Sequence, residues 1–158
     1  MKKRRGIVRI SMGIVALVLA AMAFWFEPQS LSLTALDVQT LAWPKETAPL
    51  RVVLLSDVHV DTLHMSPARI RAIAQRVNSL HPDVILLGGD YIGGDGLRKG
   101  DQRKRARRSA GDNANEEEGL RALDAFSAPL GVYAAMGNHD CYWDCQRVRE
   151  ILANTHIR

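Results

Sequence analysis

The sequence predicts an α/β fold on a parallel sheet, preceded by one transmembrane helix. Three observations carry this. Short apolar runs at Leu50–Ser56, Asp83–Leu87 and Gly131–Met136 alternate with stretches of helical spacing. Strands that alternate with helices imply parallel pairing through right-handed crossovers. Ahead of them, Ile10–Phe26 runs without a charge behind a basic flank.

Composition narrows the class. The chain has 158 residues, 21 basic and 17 acidic, for a net charge of +4. The excess sits in two clusters: Lys2, Lys3, Arg4, Arg5 and Arg9 at the N-terminus, and the stretch 98–118. A basic balance confined to two clusters does not mark a nucleic-acid-binding domain. Three each of Trp, Tyr and Phe leave little for a base-stacking platform. No nucleic-acid partner is expected. With 47% apolar residues the chain is not wholly disordered, and 2 cysteines do not frame a disulfide miniprotein.

Residues 1–9 read as a basic cytoplasmic flank and 10–26 as a transmembrane signal-anchor. The run is at the short end of what spans a hydrocarbon core of about 30 Å at about 1.5 Å per residue. Arg9 can snorkel and lengthen it. Phe24-Trp25-Phe26 forms an interfacial belt, and Glu27-Pro28 stops the helix. The alternatives are a signal peptide cleaved after Ala21-Met22-Ala23, which the bulky aromatics oppose, and a buried core helix. A basic flank stays in the cytoplasm, so either membrane reading exports the remainder of the chain.

Residues 27–49 read as a linker, with an edge strand over Leu36–Trp43 as its one candidate element. The domain occupies 50–158. Leu50–Ser56 is nearly all apolar, as a strand buried on both faces should be. Ser66-Pro67 starts a helix as N-cap and N1, and Ile70, Ile73, Ala74 and Val77 recur at its spacing. His81-Pro82 ends it. Asp83–Leu87 is the second strand, stopped by Gly88-Gly89. Residues 97–118 read as a disordered charged insertion, a basic block followed by an acidic one without periodicity. Leu120, Leu123 and Phe126 mark a second helix closed by Pro129. Gly131–Met136 is the third strand. Val148, Ile151 and Leu152 mark a third helix over Gln146–Ala153.

A polar motif follows each strand: Asp57-Val58-His59, Gly89-Asp90 and Gly137-Asn138-His139-Asp140. In parallel α/β sheets, ligand sites gather beyond the carboxyl ends of the strands. On an extended backbone, residues 57 and 59 point the same way, so a carboxylate and an imidazole could bind one metal. Asp90 follows two glycines that permit a tight turn, where a carboxylate can bridge two ions. Asn138 offers a carbonyl oxygen. His139 and Asp140 could form an imidazole oriented by a carboxylate. Mixed N and O ligands suit Mn, Fe, Zn or Ni rather than Ca.

SDVHVD (56–61), PDVILLGGDYIGG (82–94) and APLGVYAAMGNHDCYWD (128–144) resemble the calcineurin-like metallophosphoesterases. The basic-plus-apolar N-terminus resembles their bacterial membrane-anchored branch. The resemblance implies a four-layer α/β/β/α sandwich with two divalent metal ions between the sheets, of which this chain is the N-terminal half. It implies that Asp57 and His59 ligate the first metal, Asp90 bridges both, and Asn138 ligates the second. His139 is then the catalytic histidine, assisted by Asp140. A hydroxide activated by the dinuclear centre would hydrolyse a phosphomonoester, phosphodiester or pyrophosphate. The anchor suggests a lipid-linked or envelope-derived substrate. It places the protein at the bacterial inner membrane with the domain on the outer, periplasmic side.

Complete members continue past this motif with further histidines, whereas here only His156 comes after it, in ANTHIR before a next strand. The chain is therefore expected to be a partial one, inactive as it stands, with one sheet face left bare beyond its three helices. The reading of another class is a membrane-anchored interaction module that keeps the motif shell without chemistry. His64 and His81 read as loop and helix-end residues. Cys141 and Cys145, four apart, are open to free thiols or a local bridge.

Overall fold

The computed structural model describes residues 2–27, 30–40, 42–44, 46–61, 63–93 and 110–158. The chain divides into two compact units, 1–38 and 39–158. In the first, helix α1 (Lys2–Ala21) runs into a π-helical turn, Met22–Phe26. The uncharged run is thus helical throughout, and the apolar side chains of Ile10–Phe24 stand open, Leu17 at 71% and Phe24 at 77% exposure. Among the described residues, no helix is long and apolar enough to cross a membrane. The helix that carries the run starts inside the basic flank, so charge fills its first turns. The edge strand expected over Leu36–Trp43 is not present among the described residues. Leu36 and Val38 are exposed, and Trp43 N–H closes a turn onto Thr40 C=O at 3.2 Å.

The second unit is built on a parallel sheet of β1 (Val52–Leu55), β2 (Val84–Leu87) and β3 (Val132–Ala134), in that order. Val53 pairs with Ile85 and Ile85 with Val132; Leu55 pairs with Leu87 and Leu87 with Ala134. These rows face the helices and form the core with Ile70, Ala74, Leu120, Leu123, Phe126, Val148 and Ile151. The alternate row, Leu54, Leu86 and Tyr133, is 69%, 38% and 38% exposed. The strands therefore bury one face and leave the other bare, as expected of a chain with three helices, although their apolar content alone would fit burial on both. Side chains alternate across a strand, and the helices pack behind one side only.

Helix α2 (Pro67–Asn78) starts as the sequence indicates. Ser66 Oγ accepts from Arg69 N–H at 3.3 Å, with Pro67 in the first turn. Its C-terminal Asn78 donates to Ala125 C=O at 2.9 Å and accepts from Ser127 N–H at 3.0 Å. That ties α2 to the chain after α3 (Ala110–Ala122), which closes in a 3-10 turn, Leu123–Ala125. Residues 110–118 are thus helical, a correction to the disordered insertion expected over 97–118; residues 97–109 lie outside the described residues. The acidic block supplies the reason. Glu117 pairs with Arg121 one turn on at 2.7 Å and with Arg147 at 2.9 Å, and Glu118 pairs with Arg71.

Helix α4 (Asn138–Ala153) begins eight residues earlier than the helix expected at Gln146. It is two helices joined at Asp144, whose φ of −167° and ψ of 98° are extended. Asp144 Oδ1 accepts from Arg147 N–H at 3.0 Å, so it caps the second segment. The motif Asn138-His139-Asp140 opens the first segment.

Candidate metal centre

The loops after β1 and β2 stay paired beyond the strands. Asp57 N–H donates to Gly89 C=O at 3.0 Å, His59 N–H to Asp90 C=O at 3.1 Å and Val60 N–H to Tyr91 C=O at 2.7 Å. Within this ladder Asp57, His59 and Asp90 all take left-handed backbone conformations, with φ of 56°, 49° and 53°. The extended segment expected at 57–59 is thereby corrected. Left-handed backbone costs a residue with a Cβ about 1–3 kcal/mol, and such positions cluster at functional sites. Here three of them fall on the residues singled out as ligands.

The third motif is pressed against the second. A Cβ on Gly137 would collide with the Asp90 carboxylate, and one on Gly89 would lie 2.5 Å from Gly137 N. Glycine at both places lets the loop after β2 touch the start of α4. His139 N–H then donates to Asp90 Oδ1 at 2.8 Å.

The result is a convergence of side chains from three strand ends. One donor atom from each of His59, Asp90 and His139 lies within 4.8 Å of the others. The His59 and His139 rings are 5.0 Å apart, and Asp57 Oδ1 lies 3.9 Å from His59 Nε2, beyond hydrogen-bond reach. Asp57 Oδ2 is held instead by Ser56 Oγ at 2.5 Å. Asn138, at the first position of α4 and one residue before His139, is exposed. His59 Nε2 and His139 Nδ1 are buried with no hydrogen-bond partner. A buried imidazole nitrogen without a partner is costly unless something else binds it. Two such nitrogens beside a carboxylate form a donor set that fits a divalent transition metal.

Asp140 lies beneath the site rather than in it. It is fully buried, and its two oxygens accept from the backbone N–H groups of Asp90 (3.0 Å), Tyr91 (2.8 Å), Ile92 (3.2 Å) and Gly137 (2.8 Å). It fastens the Asp90 loop to the start of α4. Tyr91 is a residue that sequence reasoning missed. Its hydroxyl lies 2.7 Å from Ala135 C=O and 3.1 Å from Leu87 C=O, joining the ends of β2 and β3. Burial, and then the Asp140 charge, push its phenol well above the usual range. Gly137 opens the third motif, and its close approach to Asp90 is what the sequence could not show. On the far side of His59, Asp61 Oδ1 accepts from the N–H groups of Leu63 (2.8 Å), His64 (2.5 Å) and Met65 (2.8 Å). Burial opposes its charge, but these donors and His64 outweigh that and hold its carboxyl below the usual range.

His156 is placed elsewhere. Its Nδ1 pairs with Asp124 Oδ1 at 2.6 Å and its Nε2 lies 2.7 Å from Phe126 C=O. His81, three residues past α2, takes a left-handed conformation. Cys141 and Cys145 form a disulfide.

A parallel sheet that brings His59, Asp90 and His139 together beyond its strand ends makes a candidate metal centre, and the family comparison gives the class a name. Residues 50–157 match the calcineurin-like phosphoesterase model, and the chain belongs to that family, which uses divalent metals. Among curated proteins it is 30% identical over 138 residues to the UDP-2,3-diacylglucosamine pyrophosphatase LpxG of Chlamydia muridarum, covering 82% of this chain and 36% of that one. To LpxG of Chlamydia trachomatis it is 27% identical over 139 residues, covering 84% and 37%. To a transmembrane protein with metallophosphoesterase domain of Danio rerio it is 29% identical over 129 residues, covering 82% and 25%. The chain thus spans about a third of the length of the chlamydial relatives it matches. No solved structure matches it.

Proposed function

We propose that the protein hydrolyses a phosphoester or pyrophosphate bond with two divalent ions held at the ends of β1, β2 and β3. The observation that carries this is the pair of buried, partnerless imidazole nitrogens on His59 and His139 beside Asp90. Asp57 and His59 would hold one ion, Asp90 both, and Asn138 the second. Bound there, divalent ions polarise a phosphoryl oxygen and lower the pKa of water. The His139 imidazole would stabilise charge on the phosphoryl group or give a proton to the leaving oxygen. Asp140 assists through the backbone, by holding Asp90 and the start of α4 in register.

The substrate proposed is a lipid-bearing pyrophosphate. Two relatives are named as pyrophosphatases of a diacylated nucleotide sugar. The helix from Lys2 supports a membrane role: its apolar side chains are exposed in water and need an apolar surrounding. Its five leading basic charges favour a cytoplasmic N-terminus, with the domain on the outer side of a bacterial inner membrane.

Because the 158 residues alone are expected to be inactive, the test uses the chain extended by the C-terminal part of a relative, in detergent with Mn2+, measuring hydrolysis of an aryl phosphodiester and a pyrophosphate diester beside elemental metal content. Asp90→Ala should lose metal and turnover together. An Asp90→Ala protein that keeps two metals per chain would refute the bridging role. A reporter fused after Arg158 should work outside the cytoplasm only; cytoplasmic activity would overturn the topology.

A further inference from the structure

The Cys141–Cys145 disulfide is a feature that the metal chemistry does not use, and it lies on the segment that carries Asn138 and His139. We propose that this disulfide is a positioning element for that segment, and that its reduction by a dithiol loosens the centre; this rests on the metal-centre reading above.

Helix α4 is broken at Asp144, between the two cysteines. The first segment, Asn138–Trp143, is far too short to hold helical shape alone. It needs ties at both ends. At its start, Asp140 binds the backbone N–H groups of Asp90, Tyr91, Ile92 and Gly137. At its end, the disulfide spans the break.

The cysteine Cα atoms are 3.9 Å apart. Four residues of unbroken α-helix rise about 6 Å. A disulfide tolerates Cα separations out to about 6.8 Å, so the bond alone does not break the helix; here it draws the two segments together across the break. Asp144, extended, caps the second segment through Arg147 N–H. Without the bond, only the backbone at Asp144 joins the segments. The first segment would then be free to move against the second. His139, two residues before Cys141, would shift against Asp90 and His59, as would the Tyr142 ring that lies 5.8 Å from His139.

The exchange is balanced. A dithiol gives two electrons and two protons; the Sγ–Sγ bond breaks, two thiols form, and the dithiol closes to its own disulfide.

The experiment compares the same extended protein, oxidised, with protein reduced by dithiothreitol, which is removed anaerobically before metal is added. Co2+ affinity is read from visible absorption, and kcat and KM from aryl phosphodiester hydrolysis. The His139 imidazole resonances are recorded by NMR without metal. All readings are taken where circular dichroism shows a folded chain. Reduction should weaken Co2+ binding, shift the His139 resonances and lower kcat/KM by about tenfold or more, as displacement of about 1 Å does elsewhere. Reoxidation should restore all three. The C141S/C145S variant should resemble the reduced protein and ignore dithiothreitol. Equal Co2+ affinity, kcat/KM and His139 resonances in both redox states would overturn the positioning role. A bridge that only stabilises the fold would change the melting temperature and none of these. Failure of the oxidised protein to bind Co2+ would overturn the metal centre itself, and the positioning role with it.

Discussion

His139 and Asp140 are adjacent in the chain, and the helix sends them to different places. Consecutive residues on a helix do not face each other. His139 therefore opens toward Asp90 and His59, while Asp140 turns under the loop. The structure separates their expected effects. Asp140→Ala leaves four buried backbone donors without their carboxylate and should cost about 1–3 kcal/mol for each one left unpaired, read by urea unfolding. His139→Ala should change that unfolding little and remove most phosphodiesterase turnover. That His59, Asp90 and His139 come together beyond the strand ends was legible from their motifs. Their backbone was not. Asp and His fit extended and left-handed backbone alike, and only the ladder between residues 57–60 and 89–92 selects the second.

At the scale of elements, the sequence announced what local patterns encode. Ser66-Pro67 and the apolar spacing after it fix α2, and Val148, Ile151 and Leu152 mark the second segment of α4. The start of α3 was illegible because its stability is not local. Residues 110–118 have no apolar stripe, and Arg71 and Arg147 reach them from other helices. The Arg147 hydrogen bond, opposed by burial and helped by Arg121, holds the Glu117 carboxyl below its ordinary value of 4.5. A lowered carboxylate pKa adds stability that is present above the unfolded value and lost as pH falls through the folded one. Urea midpoints of the wild type should therefore drop below pH 4.5 by more than those of Glu117→Gln. Equal drops would show that the α3–α4 pair adds nothing.

For the whole molecule, the sheet is the asymmetric part. Ile85 and Leu87 are sealed under helices, while Leu54 and Leu86 on the reverse meet no cover among the described residues. The two faces should answer mutation differently in this 158-residue chain. Ile85→Ala should cost about 2–5 kcal/mol, as cavities in packed cores do. Leu54→Lys should leave the urea midpoint nearly unchanged and raise soluble yield, because it breaks a sticky apolar row. A large loss from Leu54→Lys would show that the reverse face is covered in solution. Apolar content alone could not foretell this, since Val and Leu look the same on a face that is packed and on one that waits.

The donors at His59, Asp90 and His139 are far apart along the chain and meet only once all three strands have paired. The unfolded polypeptide has no comparable nest for an ion, so metal supply and folding are thermodynamically linked. An ion at a hundredfold over its dissociation constant adds about 2.7 kcal/mol to the folded state. Tm should climb with the logarithm of Mn2+ concentration, and chelation should lower it. Calorimetry would see the slope flatten in Asp90→Ala. The same protein would then be firm or fragile according to how much metal its surroundings supply.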